Sequence, residues 1–577
     1  MDTSNPKSSK GAEPESPQSR AKNEWIPYVV LLLATSLIIF FIGKRGEDTE
    51  GNALDEGGGV SGETLPTPGT QAPASPTPTD IASVAPTGGT IDKDQLQRGR
   101  DLSKAVCASC HMYPEPGIET KFSWAFEVLP RMAMWLGYEK LNLTKEKGGD
   151  RILAARIIPD APAMPYEDWV AICNFYIHYA PSKPLAQPER PEIVVGMKGW
   201  NAVLPKFDRP PKTTLVKIVE NFGMIYLGND DKDTLDLFKI SGQTLATVNL
   251  PGPPVGLRES KDGLYVTVIG DFEPSDELNG SVMLLGKPSP GKAPSAYTLL
   301  DKLARPSDAL FVDLNEDGRE DIIVSQFGYI LGQFGWFENM GPDGYRPHVL
   351  MEYPGAIRSL TYDFNKDGKL DIALLVGQGR EGVYLFTNLG GGEFDMEPLL
   401  LKHPSWGHSD MALGDFNGDG EIDLLVTNGD NGDRGQYRHE MKPYHGARIY
   451  LNDGKNKFTE AYFFPLNGAY RTIPRDYDGD GDLDIAVTGY FPDYVKSPGE
   501  SFVYLENQGD MKFSPFTFPE AVTGKWLVMD AGDLDGDGDL DIVLGAYNLG
   551  PGVVPPAIQE EWDKMNASFL ILENPLR

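Results

Sequence analysis

The chain has 577 residues and a formal net charge of -32, from 84 acidic and 52 basic residues. That length exceeds what one hydrophobic core usually holds, ~250–300 residues, so several folded units are expected. The acidity argues against nucleic-acid binding, which needs clustered Lys and Arg, and 3 Cys cannot staple a disulfide scaffold.

Residues 1–24 are polar and carry Lys7, Lys10, Arg20 and Lys22. Trp25 to Gly43 then runs 19 residues without a charge. At ~1.5 Å per residue this spans about 28 Å, close to the hydrocarbon thickness of a bilayer. Trp25 and Tyr28 mark one interface, and Lys44 and Arg45 the other. The length of the apolar run, and the charged GKRGEDTEG where a small-residue cleavage site would be needed, favour an uncleaved anchor over a cleaved signal. The basic residues before the span weakly place the N-terminus in the cytoplasm. Residues 44–91 (including GGGVSGETLPTPGTQAPASPTPTD) hold almost no large apolar side chain and read as an extended linker with a reach of about 40 Å.

Residues 93–106 read as a helix, and Cys107-Ala108-Ser109-Cys110-His111 follows. C-x-x-C-H is the attachment pattern of a covalent c-type haem. Two thiols three positions apart reach the two vinyl groups of one porphyrin, and the next residue offers its imidazole to the iron. A zinc site would need two more Cys or His close by, and only Cys173 and His178 are at hand, on one later helix; a dithiol pair would leave His111 without a role. Haem c is attached outside the cytoplasm, so the motif puts the chain beyond Gly43 on the periplasmic side of an inner membrane. The sixth iron ligand is open between Met132, in VLPRMAMWLG, and Met164, in APAMPYEDW. Met164 precedes a helix from about Asp168 to Tyr179, and His178 lies inside that helix as a distant third candidate. Cys173 falls on the stripe Trp169, Ile172, Cys173, Tyr176, Ile177 and is expected to be a core thiol. The expectation is a small all-α mono-haem unit over residues 92–182.

Internal repetition organises the remainder. Five segments share D-x-[DN]-x-D-G-x-x-D followed by a short β-type run, spaced 50–61 residues apart. Side-chain oxygens from positions 1, 3, 5 and 9, with the carbonyl of position 7, can surround one hard cation, while Gly at position 6 makes the turn. The expected calcium sets are Asp313, Asn315, Asp317, Arg319 and Asp321; then Asp363, Asn365, Asp367, Lys369 and Asp371; then Asp415, Asn417, Asp419, Glu421 and Asp423. The last two are Asp476, Asp478, Asp480, Asp482 and Asp484, and Asp533, Asp535, Asp537, Asp539 and Asp541. An EF-hand would carry Glu at position 12 between helices, whereas position 12 here is Val324, Leu374, Val426, Val487 or Leu544, inside a strand. The first three loops hold three ligand carboxylates each and the last two hold four, so five Ca²⁺ would bring the charge of -32 to about -22. A second echo follows each loop: GWFENMG, YLFTNLG, RIYLNDG, FVYLENQG and FLILENP.

Over residues 300–577 this pattern resembles the FG-GAP/VCBS repeat, including the calcium-bearing blades of integrin α-chain propellers. The resemblance implies an all-β propeller of four-stranded blades with Ca²⁺ between the first two strands of each marked blade. Two unmarked repeats, from Thr213 and from Pro253, fit the same period without the loop, so seven blades are expected over residues 183–577. The last repeat lacks a fourth strand, and Pro191–Met197 (PEIVVGM) is the expected closing strand. CASCHMYPEP, Trp124 and VLPRMAMWLG ahead of such repeats are similar to a bacterial family that joins a c-type haem segment to VCBS repeats. In that family the Met of VLPxM recurs, which implies Met132 as axial ligand.

Propeller ligands usually sit at the mouth of the central channel. Arg258, Arg358, His408, Asp410, Arg471 and Trp526 lie near the starts of the inner strands and form the expected ligand set; the loop at 428–446 adds His439 and His445. The expected protein is a membrane-anchored, periplasmic electron-transfer haem protein whose propeller docks a redox partner protein. An oxidoreductase holding a sugar or alcohol in its propeller is the first alternative, and a surface adhesin or carbohydrate binder the second.

Overall fold

The computed structural model describes residues 93–138, 146–286, 294–432 and 440–574. The anchor and linker expected over residues 1–91 lie outside them, and among the described residues no helix is long and apolar enough to cross a membrane.

From residue 201 onward the chain folds into seven antiparallel sheets, one per repeat, arranged as a seven-bladed β-propeller. The run after each acidic loop becomes the second strand of its blade: Asp321–Gln326, Asp371–Val376, Asp423–Asn428, Asp484–Gly489 and Asp541–Ala546. Every residue of these strands is buried, which is why they read as continuous apolar runs and not as alternation. Outer strands such as Gln243–Asn249 are mostly exposed. Seven buried clusters join the blades pairwise, and one of them, holding Val216, Ile225, Val543 and Phe569, joins blade seven to blade one. The ring is therefore closed by packing as well as by pairing.

The closing strand differs from the expected one. Asn201–Val203 pairs antiparallel with Phe569–Glu573 and completes blade seven, with Ala202 opposite Leu572. Within Pro191–Met197, Val194–Val195 instead pairs parallel with Phe513–Thr517, as a fifth, outer strand on blade six. The chain thus reaches blade six's edge first and blade seven's edge a few residues later.

The helical unit begins with α1 (Lys93–Cys107) and continues with α2 (Lys121–Ser123), α3 (Leu129–Trp135), α4 (Gly149–Ala155) and α5 (Tyr166–Tyr179). Helix α1 crosses α5 at Gly99, where a Cβ would stand 2.1 Å from the Ala171 carbonyl oxygen, so only glycine permits this approach. Helices α2 and α3 are one rod joined by a π-turn, Trp124–Val128. Pro130 accounts for it: proline has no N–H and its ring crowds the carbonyl four residues back, and the wider turn, closed from Leu129 N–H to Trp124 O, makes room.

This unit docks on the propeller face from which the inner strands start. Lys147 pairs with Asp271 at 2.7 Å, and the Gly148 N–H donates to Glu277 at 2.8 Å. Met134 and Ile152 pack against Tyr329 and Ile330 of blade three.

Candidate functional site

The end of α1 presents Cys107, Cys110 and His111 to an apolar cavity. Trp124, Val128, Leu129, Met132 and Trp135 of the α2–α3 rod form one wall, Trp169, Ile172 and Tyr176 of α5 another, and Pro404 and Ser405 of the propeller a third. Trp124 Nε1 donates to Pro116 O at 2.9 Å and the Tyr176 hydroxyl to Pro114 O at 2.9 Å, which ties the loop after His111 to both helical walls. His111 Nδ1 lies 2.9 Å from Met112 O. A proton on Nδ1 makes that bond and leaves Nε2 as the nitrogen with a lone pair.

Burial lowers the His111 pKa, so the ring is neutral at pH 7. Burial also pushes the Cys107 thiol up to about 11 and raises that of Cys110. Such thiols are protonated at neutral pH, which does not suit a dithiol redox pair. Cys173 is buried in the helical core, its pKa pushed up to about 12 by burial, as a packing residue would be. The two methionines separate clearly. Both pack against the helical core, but Met132 also lines the cavity, whereas the Met164 carbonyl accepts the Tyr138 hydroxyl at 2.6 Å. Neither Met164 nor His178 reaches the cavity wall. Two thiols, a neutral imidazole nitrogen and a thioether around one apolar space suit a cofactor with a soft-ligated metal.

The five acidic loops all sit in hairpins between the first two strands of blades three to seven. Their position-9 carboxylates, Asp321, Asp371, Asp423, Asp484 and Asp541, are buried and hold each hairpin together. One oxygen accepts the N–H of position 2, at 2.9–3.1 Å, and the other the N–H of an Asn in or just after the third strand, at 2.7–2.9 Å. Those residues, Asn339, Asn388, Asn452, Asn507 and Asn574, return their side-chain amides to the carbonyl just before the Asp, at 3.0–3.4 Å. They are the Asn of the five echoes, visible in the sequence as repetition but without an assigned role. The position-6 glycines take φ between +84° and +100°, a conformation that side-chain-bearing residues resist.

In blade six the carboxylate oxygens of Asp476, Asp478 and Asp484 lie within 4.8 Å of one another, and in blade seven those of Asp533, Asp535 and Asp537 do. Burial, with neighbouring carboxylates adding to it, pushes Asp484 and Asp541 up to about 7. In blades three and four the position-7 side chains Arg319 and Lys369 pair with the position-5 carboxylates Asp317 and Asp367. The donor set, oxygen only and several-fold negative, suits a hard divalent cation.

The six residues expected at the channel mouth do not form one site. Trp526 is fully buried between blades six and seven, its Nε1 donating to Ala521 O at 2.7 Å. His408 is buried 3.3 Å from Glu381. Arg258 serves the opposite end of its strand, donating to Phe311 O at 2.8 Å and pairing with Glu320 at 2.6 Å. Side-chain identity cannot reveal which end of a strand, or which face, a residue serves.

Only Arg358, Asp410 and Arg471 converge, and their charges are used internally. Arg358 and Arg471 donate to Asp410 at 2.7 and 3.2 Å. Innermost strands leave backbone N–H groups unpaired, and Asp308, Asp410 and Asp530 accept those of Ser359, Thr472 and Ile218 on the next blade at 2.8–3.1 Å. With Lys217 on Asp530, the set forms a girdle linking blades three to four, five to six and seven to one. Phe272, Tyr470, Tyr490 and Tyr547 pack over the channel beside it. His445 is buried in the wall of a separate cleft between residues 184–190 and the loops of blades five to seven; His439 lies outside the described residues.

A family model described as an FG-GAP-like repeat matches residues 363–426 and 476–544, which run through blades four to seven. Among solved structures, the chain is similar to BBS1N in its complex with ARL6DN (13% identity, 65% of this chain and 97% of that chain covered, TM-score 0.39). It is also similar to the streptogramin B lyase (13% identity, 65% and 97% covered, TM-score 0.39) and to the Dos1 propeller (10% identity, 63% and 78% covered, TM-score 0.38). No curated protein matches the sequence.

Proposed function

We propose that the protein is a membrane-anchored c-type haem protein that transfers electrons on the periplasmic side of a bacterial inner membrane, with a calcium-braced propeller as the platform for a redox partner. One observation carries this reading: Cys107 and Cys110 of C-x-x-C-H, the His111 that follows and Met132 all line one apolar cavity. Cys107 and Cys110 would hold the haem by thioether bonds, and His111 and Met132 its iron. When bound, the haem supplies a reversible one-electron centre. The Met112 carbonyl orients the His111 ring, and the walls around it are apolar. The five acidic loops would each hold a Ca²⁺.

The test is expression with haem-attachment machinery. Haem should stay with the polypeptide in a denaturing gel and be lost in Cys107→Ser with Cys110→Ser; wild-type protein without covalent haem would sink the reading. The same preparation judges a second reading, favoured by the cleft that Arg190, Glu440, Asp493 and Glu500 line, in which an alcohol or sugar bound there is oxidised and reduces the haem. A panel of sugars and alcohols that leaves the ferric haem unchanged counts against it.

A further inference from the structure

We propose that Glu440 of the propeller is a positioning residue for Met132, acting across the boundary between the two folded units; this rests on the haem reading above. Glu440 lies in the loop between the second and third strands of blade five and is 7% exposed. Its two carboxylate oxygens accept the Thr120 hydroxyl at 2.6 Å and the Ser123 hydroxyl at 2.9 Å. Thr120 is the N-cap of α2, and its Oγ1 accepts the Ser123 N–H at 3.3 Å. A residue of the propeller therefore seals the start of the rod that carries Met132. The position is electrostatically apt, since a carboxylate at a helix N-terminus meets the positive end of the peptide dipoles.

The far end of the rod is held as well. Met134 and Trp135 pack with Tyr329 and Ile330 of blade three. Between the two grips lie the cavity residues Trp124, Val128, Leu129 and Met132. The π-turn inside this span makes the relation between the cap and Met132 depend on helical register. Each residue of a helix advances ~100° around the axis, so a small rotation at the start swings the Met132 side chain along the cavity wall. The same propeller loop reaches the cavity by a second route: Lys442 Nζ donates to the carbonyl of Ser405, itself a lining residue, at 3.0 Å. A carboxylate accepts from both hydroxyls at once. Glutamine has one acceptor oxygen, so one hydroxyl would have to reorient to accept from the N–H₂ group, which disturbs the cap.

The experiment uses the full-length holoprotein in detergent, with Glu440→Gln, Glu440→Ala and, for comparison, Lys147→Ala, which breaks the interface pair with Asp271 away from the rod's start. The readouts are the charge-transfer band of methionine-ligated ferric haem, the midpoint potential, covalent haem content and thermal melting. Both Glu440 variants should keep covalent haem, lose the methionine–iron band and show a lower potential, while Lys147→Ala keeps both signatures. Wild-type band and potential in Glu440→Gln, with haem attached, overturn the proposal, as does loss of the band in Lys147→Ala, which would make it a general effect of loosening the interface. If Glu440→Ala does not fold, the nearly isosteric Gln variant decides. Absence of covalent haem from the wild type would instead remove the haem reading itself.

Discussion

Lys525 is 2% exposed, its ammonium 4.0 Å from the Tyr490 ring centre and 4.9 Å from that of Phe491, and it donates to the Pro551 carbonyl. Burial pulls its pKa down to about 7. In the unfolded chain the group titrates near ~10.4. Between those values the unfolded chain binds more protons, so this residue makes stability rise as pH climbs from about 7 to about 10.4. Lys525→Met should flatten that rise, read as melting temperature against pH relative to wild type; parallel curves would contradict the assignment. Other single residues show how far residue type speaks for itself. Cys107, Cys110 and His111 carried a reading on their own because three functional groups within five residues constrain one another locally. Arg258, His408 and Trp526 had no such local constraint, and the fold gave them an ion pair at the far end of a strand, a buried neighbour for Glu381 and a core position.

At the scale of elements, the acidic loops were legible because nine contiguous residues contain the whole donor set. What lay beyond contiguity was missed: the Asn of each echo locks its loop to the third strand from 17–33 residues away. Chelation of divalent cations should lower the melting temperature, because the ion binds folded loops and not the unfolded chain. Asp484→Asn should destabilise by about 1–3 kcal/mol, since the buried carboxylate serves the Tyr477 and Asn507 N–H groups and the Tyr504 hydroxyl together. A melting temperature indifferent to chelator would refute the cation reading, and calorimetry of the variant checks the second value. The π-turn belongs to this scale too. Pro130 marks a disturbance in the sequence, but whether a helix kinks, ends or widens there depends on what it packs against.

For the whole molecule, counting repeats led to seven blades, and seven inter-blade cores close the ring. The closing strand was displaced, because PEIVVGM and the segment around Ala202 are both short and partly apolar and nothing within either names its partner edge. Asn201–Val203 contributes to the packing on both sides of blade seven through Ala202 and Val203, whereas Val194 and Val195 are 50% and 65% exposed. Replacing residues 201–203 by glycines should therefore lower the melting temperature more than replacing Val194 and Val195, and should promote aggregation through the uncovered Phe569–Glu573 edge. The reverse order in thermal melts would reassign the closure.

The sequence by itself determined the repeat number, the acidic loops and the thiol–imidazole motif, all written in short stretches whose residues need only their neighbours. Tertiary structure alone decided that propeller residues wall the cavity and that the channel charges serve as a girdle, and it placed Met132, which the resemblance already implied, on the cavity wall. The physical reason is directional: spacing along a chain predicts which groups are near in sequence, but the face a side chain occupies, and whether a partner already satisfies it, is settled only when distant elements pack.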